Sequence, residues 1–322
     1  MVRAFLTATA FCISGGLASA ALGQTYPAKS IRLVVSTPSS SPIDILCRVL
    51  GERLGKELGA SVFVENKPGG LFFIGPQDVL KQPADGYTLM AVMLPMTVTP
   101  AMVAKPPFDL AKDFDPIGQT AWSYTVLIAP PTSKVMTVRE LESLLKARPG
   151  QMNYASGGNG SPSHVAGELF LQQTGTQATH VPYSVFTQAL ADMVAGVNDF
   201  MFVATPPVIG LIKAGKMKPL AVTSTSRIAA LADVPTMIES GYPDFVVRDW
   251  QGLVVRHGAP REVVTRLNGL IGKIVTSDSM KDTFTRLGAD PAHGSPEDFG
   301  RLIASELARW GKVVKTANIK AD

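Results

Sequence analysis

Charge, cysteine and histidine are all scarce in this chain. Only 17% of its 322 residues are charged, and no stretch gathers lysine or arginine. A net charge of +4 without a basic run gives no purchase on nucleic acid and at most attracts a small anion. The cysteines are Cys12 and Cys47, and the four histidines (His164, His180, His257, His293) lie far apart with no ligand spacing. That excludes a disulfide framework and a zinc signature, so neither metal nor cofactor is expected. Past the first residues no apolar run reaches the length of about 18 that a membrane span requires. There is also no internal repeat and no low-complexity tract.

The first residues read as an export leader. Arg3 supplies the positive start and Ala4 to Leu17 the apolar stretch. Ala18-Ser-Ala20 or Ala21-Leu-Gly23 supplies small residues for cleavage. Residues 1–23 are therefore read as a signal peptide, which would take Cys12 with it. Cys47 is expected to pack as a small apolar side chain on a helix.

The rest is long enough for two domains, each with its own core. Strand-like runs alternate with helical periodicity. Ile31–Val35 precedes a helix whose face carries Ile43, Leu46, Val49, Leu50 and Leu54, and Ser61–Glu65 and Tyr87–Met93 are further strands. A second set starts near Trp122, with strands at Thr125–Ala129, Met152–Ala155, His180–Tyr183, Asp199–Val203 and Lys218–Ser224. A strand at Gly252–Arg256 and three helices between Arg261 and Ala317 close the chain. The pattern is α/β. The expected boundaries are 24–122 plus 247–322 for one lobe and 123–246 for the other.

Ligands of open α/β sheets lie beyond the carboxyl ends of strands. Three loops meet that condition: Ser36–Pro42, Ala155–Ser163 and Tyr183–Thr187, all rich in Ser, Thr or Gly. The most informative is Gly157-Gly-Asn-Gly-Ser-Pro-Ser-His164, a glycine-rich turn opening a helix. Unpaired first-turn N–H groups and the helix dipole together favour an anion there, with Ser161 or Ser163 as cap and Pro162 at the first helical position.

At this point a family resemblance is legible. Tyr26-Pro-Ala-Lys-Ser-Ile-Arg-Leu-Val-Val35, Val64-Glu-Asn-Lys-Pro-Gly69, Asp85-Gly-Tyr-Thr-Leu89, Gly158-Asn-Gly-Ser161, His180-Val-Pro-Tyr183, Ile212-Lys-Ala-Gly-Lys216, Asp233-Val-Pro-Thr236 and Glu306-Leu-Ala-Arg-Trp310 follow one another in order. In this the chain resembles the Bug-type periplasmic solute-binding receptors of tripartite tricarboxylate transporters. The resemblance implies a two-lobe, type II-like "Venus flytrap" with the ligand cleft between its lobes. It implies a monomeric periplasmic protein that captures a small organic acid and delivers it to one large and one small membrane subunit. It also implies a carboxylate site at Thr37, Ser39, Ser40, Ser41, Ser156, Gly157, Asn159, Gly160 and Ser161, with Tyr183 and Phe186 beside it. Asp44 is assigned an orienting role, accepting backbone N–H groups of the first loop.

The departures from the family pattern fall at loops. Ser40-Ser41 stands where a Gly-Gly pair is usual, Gly70-Leu-Phe-Phe73 replaces a glycine-rich turn, and Val92-Met-Leu-Pro-Met96 replaces a small-residue segment. Val203 stands where Asp is common, and Tyr183-Ser-Val-Phe186 replaces Tyr-Lys-Gly. Phe72, Phe73, Met93, Met96 and Phe186 are therefore expected to form an apolar wall suited to a bulky or aromatic acid. Two rival readings differ in class. One is a ligand sensor for a membrane kinase. The other is a serine hydrolase using Ser161 with His164 or His180, although Ser163 occupies the place of the second elbow glycine. The expectation is a receptor and not an enzyme.

Overall fold

The computed structural model describes residues 26–183 and 185–320. The leader read at residues 1–23 lies outside the described residues. In chain order the elements are β1 (Ile31–Val35), α1 (Pro42–Leu58), β2 (Val62–Asn66), α2 (Ile74–Val79), β3 (Thr88–Met93), α3 (Pro95–Val98), β4 (Phe114–Ala129), α4 (Val138–Ala147), β5 (Asn153–Ser156) and α5 (Pro162–Thr174). They continue with β6 (Thr179–Pro182), α6 (Phe186–Ala195), β7 (Phe200–Ala204), α7 (Pro206–Lys213), β8 (Lys218–Val222), β9 (Arg248–Arg256), α8 (Arg261–Val275), α9 (Lys281–Leu287), β10 (Ala289–Pro291) and α10 (Pro296–Thr316).

β4 organises them. β1 pairs in parallel with β2 and β3, β9 runs antiparallel to β3, and β4 antiparallel to β9 from Phe114 to Tyr124. One residue later β4 changes partners. Thr125–Ile128 pairs with β7 and Val126–Ala129 with β8, both antiparallel, while β5 lies parallel between β7 and β6. Two antiparallel steps make β4 co-directional with β1 and β3, and one makes it opposed to β7, β5 and β6. The carboxyl ends of β1 and β3 therefore face those of β5, β6 and β7 across the place where β4 changes partners.

The chain crosses that place a second time between β8 and β9, and the two crossings are laced. Thr223 N–H donates to Thr125 O (2.9 Å), and the Thr223 hydroxyl accepts Thr125 N–H (3.2 Å) while donating to Val247 O (2.5 Å). Both threonines are buried.

α10 covers the β4–β9 pair. Its start is a capping box in which Ser295 and Asp298 satisfy each other's backbone N–H. Its inner face carries Phe299 and Trp310, and Glu306 accepts the indole N–H groups of Trp310 (2.7 Å) and Trp250 (3.3 Å). Cys47 is 3% exposed on α1, and burial pushes its thiol up to about 12. Among the described residues no helix is long and apolar enough to cross a membrane.

Two differences from the sequence reading have physical causes. β4 is sixteen residues long, not five, because register shifts at Pro116/Gly118 and Gln119/Ala121 break the period-2 alternation that marks a strand. β9 begins at Arg248, four residues before Gly252, because charged and polar side chains interrupt its apolar run. Gly252 is fixed by α10, since a Cβ there would stand 2.2 Å from Phe299 and 2.8 Å from Gly118 O. Gly252→Ala is expected to lower stability by about 1–3 kcal/mol through overpacking, read as a lower urea midpoint at unchanged slope.

Candidate functional site

The two helices whose N-termini stand at the facing sheet ends begin in the same way. Each has a serine cap followed by proline, Ser41-Pro42 on α1 and Ser161-Pro162 on α5, with cap dihedrals of −68°, 157° and −66°, 157°. Each cap accepts the N–H three residues on, Asp44 at 3.4 Å and His164 at 3.3 Å. Each is preceded by a residue in the left-handed region, Ser40 (φ 67°) and Gly160 (φ 73°). In each the side chain at the third helical position reaches back for that residue's N–H: Asp44 Oδ2 takes Ser40 N–H at 2.8 Å, and His164 Nδ1 takes Gly160 N–H at 3.1 Å. Loop and helix start are thus locked together on both sides, and both helix dipoles present their positive ends to the space between.

Asp44 carries more than this one bond. Although 1% exposed, it also accepts Asn66 Nδ2 (2.8 Å) and Arg48 Nε (3.0 Å). Burial opposes its ionisation, but the bonds from Arg48, Asn66 and the Ser40 amide outweigh that and hold the carboxyl below its usual range. Asn66 in turn donates to Thr37 O, and Thr37 Oγ1 lies 2.6 Å from Ser41 Oγ. Ser39 and Ser40 are exposed at the loop tip. Ser40 adopts with a Cβ the left-handed backbone that glycine reaches without steric cost.

Beneath the second loop lies a ring stack. His164 and His180 are 3.8 Å apart and nearly parallel (9°), with Tyr154 against His180 at 4.9 Å. Burial, then the neighbouring His180, pushes His164 down to about 3, so it is a neutral imidazole free to accept Gly160 N–H. Burial raises Glu168, which accepts the Tyr154 hydroxyl (2.5 Å). Ser156 is buried, 2.6 Å from His180 Nε2, and its Oγ accepts Gly158 N–H (3.1 Å). The hydrolase reading meets this geometry poorly: Ser161 Oγ is a helix cap, His164 Nδ1 faces a backbone amide, and His180 Nε2 faces Ser156.

Gly157 is exposed, Asn159 half-buried and Gly160 buried. A Cβ on Gly160 would stand 2.8 Å from Met102 Sδ and 3.1 Å from Thr99 Cγ2, so this loop meets the 3-10 turn Thr99–Met102 that follows α3. The Tyr183 hydroxyl donates to Asp192 (2.7 Å) and accepts Asn198 Nδ2 (2.8 Å), while its carbonyl oxygen borders Gly158. Of the expected apolar wall, Met93 and Met96 are 6% and 0% exposed in the core, and Phe73 packs edge-on against Phe108 at 5.7 Å. These side chains follow the inward face of their strand and turns. Phe72 (φ 68°) is half-buried against the same core, whereas Phe186 is 36% exposed beside Gly157.

Sequence reasoning passed over Asp249 and Gln251. They pair with Ser123 and Ala121 of β4, and Gln251 also pairs with Met93, the last residue of β3, at the same sheet edge as the loops. Asp249 Oδ1 and Gln251 Oε1 are buried without a hydrogen-bond partner among the described residues, as are Ser36 Oγ and Thr205 Oγ1 just beyond β1 and β7. The signal available in the sequence was the polar interruption Arg248-Asp-Trp-Gln251 in an otherwise apolar run. No cluster of three or more metal-ligating side chains occurs among the described residues.

Residues 46–319 match the family described as tripartite tricarboxylate transporter family receptor. Protein BugT of Bordetella pertussis is 31% identical over 322 residues, covering 99% of each chain. Among solved structures, R. palustris Rpa4515 with adipate shares 33% identity at a TM-score of 0.80, over 92% of this chain and 99% of that one. MatC from Rhodopseudomonas palustris with bound malate shares 26% at 0.77, over 90% and 100%. The fold is accordingly the two-lobed α/β fold of periplasmic binding proteins that the resemblance implied.

Two predictions come from this geometry. Asp44→Ala frees three donors and is expected to destabilise by about 2–4 kcal/mol, whereas Ser40→Gly relieves a left-handed residue and leaves the melting temperature unchanged or higher. Asp249 supplies the pH dependence. Burial, opposed by the Leu94 N–H and reinforced by Glu306, pushes its carboxyl up to about 7. The native state then keeps a proton that the unfolded chain loses near about pH 4, so this group's contribution to stability falls as pH rises from about 4 to about 7. Asp249→Asn should gain on the parent between about pH 4 and about pH 7 in urea unfolding. A constant difference would mean that Asp249 is ionised in the native state throughout.

Proposed function

Because the chain belongs to the receptor family of tripartite tricarboxylate transporters, of the Bug type, we propose that it is a periplasmic receptor for a small organic carboxylate. The observation that carries this is the matched pair of loop-and-helix starts facing each other from opposite ends of the sheet. Their hydroxyls, first-turn amides and helix dipoles are neutral donors for an anion, and the one carboxylate at the loop, Asp44, is already neutralised by Arg48. Adipate and malate in the two solved relatives are of the same chemical class.

In this reading 24–122 with 247–322 forms one lobe and 123–246 the other, a division two residues before β4 changes partners between Tyr124 and Thr125. The lobes close about the Thr125–Thr223 lacing. The leader at 1–23 exports the chain and is cleaved. The loaded monomer delivers its ligand to a large and a small membrane subunit. The protein binds and releases without catalysis, because Ser161 and both histidines are committed to holding the loop. With Met93 and Met96 in the core, a small acid fits better than the bulky or aromatic one, whose support is reduced to the half-buried Phe72 and Phe73 and to Phe186.

The test is thermal unfolding of the mature protein against aliphatic mono- and dicarboxylic acids and aromatic acids. A ligand at 100 times its Kd adds about 2.7 kcal/mol, so a hit raises the midpoint by several degrees. Stabilisation by short aliphatic acids is expected. No shift with any acid would overturn carboxylate recognition, and shifts confined to aromatic acids would restore the apolar wall.

A further inference from the structure

A receptor built only for carboxylates needs donors, yet the edge of the first half-sheet also carries acceptors. Asp249 and Gln251 sit two apart on β9 and so share a face, about 7 Å from each other along the strand. It is the face turned away from α10, because the residues between and beyond them, Trp250 and Gly252, meet Glu306 and Phe299 of that helix. Gln251 donates through Nε2 to Ser123 Oγ at 3.5 Å, which turns its Oε1 outward from that contact. Asp249 takes the Leu94 N–H, at the turn where β3 ends and α3 begins. What remains is Asp249 Oδ1 and Gln251 Oε1, two buried oxygens without a partner among the described residues. Burying such atoms unpaired is costly, and native proteins rarely do it without a role for them.

We infer that Asp249 and Gln251 set the specificity of the cleft by accepting hydrogen bonds from a hydroxyl or ammonium group that the ligand carries beside its carboxylate. This rests on the carboxylate-receptor reading above and narrows it to substituted acids. The donor loops hold the carboxylate and the acceptor pair holds the substituent, so an unsubstituted acid leaves both oxygens bare. Such a site discriminates strongly, because the wrong ligand is charged with the unpaired groups it leaves behind. The acid Asp249 suits an ammonium as ionised carboxylate and a hydroxyl in either state, and its carboxyl titrates near neutrality.

The experiment is calorimetric titration of the mature protein with matched acids of three to six carbons, each unsubstituted, with a 2-hydroxyl and with a 2-ammonium group. Succinate, malate and aspartate make one such set. The expected result is tighter binding of a substituted acid by about tenfold or more over its unsubstituted partner. In Gln251→Met and Asp249→Ala that ratio should shrink to about threefold, as the substituted acid loses its acceptors and the unsubstituted acid no longer leaves them bare. Asp249→Asn keeps the shape without the charge, stands in if Asp249→Ala does not fold, and should lower the preference for ammonium over hydroxyl. Equal binding of substituted and unsubstituted acids, or a preference that survives these substitutions, would overturn the inference and leave the receptor reading intact. Failure of every acid to bind would remove the receptor reading itself.

Discussion

The structure depends on one strand's being allowed to belong to two sheets. From Phe114 to Tyr124 β4 completes the first half with β9, and from Thr125 to Ala129 it becomes the centre of the second with β7 and β8. Backbone pairing makes a strand stiff within each sheet, so relative movement of the halves has only the partner change at Tyr124/Thr125 to work through. The return crossing is tied to the same point by Thr223, whose hydroxyl joins Thr125 to Val247 inside the core. Two crossings laced at one level define an axis. Everything proposed for the cleft, including which loops meet across it, follows from the strand directions that this axis imposes.

The second organising feature is the repeated helix start. Ser-Pro with a third-position acceptor reaching back to a left-handed residue is built once from an aspartate and once from a histidine. The two side chains differ in charge but do the same geometric work, and each is prevented from adding charge to the cleft. Asp44 is neutralised by Arg48, and His164 is kept unprotonated by burial beside His180. The price of the design is backbone strain. Ser40, Leu71 and Phe72 all have positive φ, at 67°, 55° and 68°.

Much of this was legible in the sequence. The α/β alternation, the helix starts at Pro42 and Pro162, and the anion-suited loops could be read because caps, prolines and apolar periodicity are local signals. The orienting place of Asp44 was legible for the same reason, three residues after a serine. What could not be read is non-local. β4's first eleven residues contain Pro116 and Gly118 and two bulges, so they look like loop until β9 is laid beside them. Met93, Met96 and Phe73 follow a strand end and a turn, where loop composition suggested a cleft wall, and only packing decides that they turn inward. Asp249 and Gln251 were hidden because their significance lies in one side-chain oxygen of each without a partner among the described residues, which no pattern in one dimension records.

The late arrival of β9 bears on how the chain folds. β9 sits between β3 and β4, although about 120 residues separate it from the end of β4. Until it emerges, β3 keeps one fully apolar edge open and β4 has no partner along its first eleven residues. The first half therefore cannot close during early synthesis, whereas residues 125–246 can pair among themselves. High contact order of this kind slows folding. The same strand that carries the acceptor pair thus joins β3 to β4, and the first half is completed only by the elements that follow it, β10 and α10 among them.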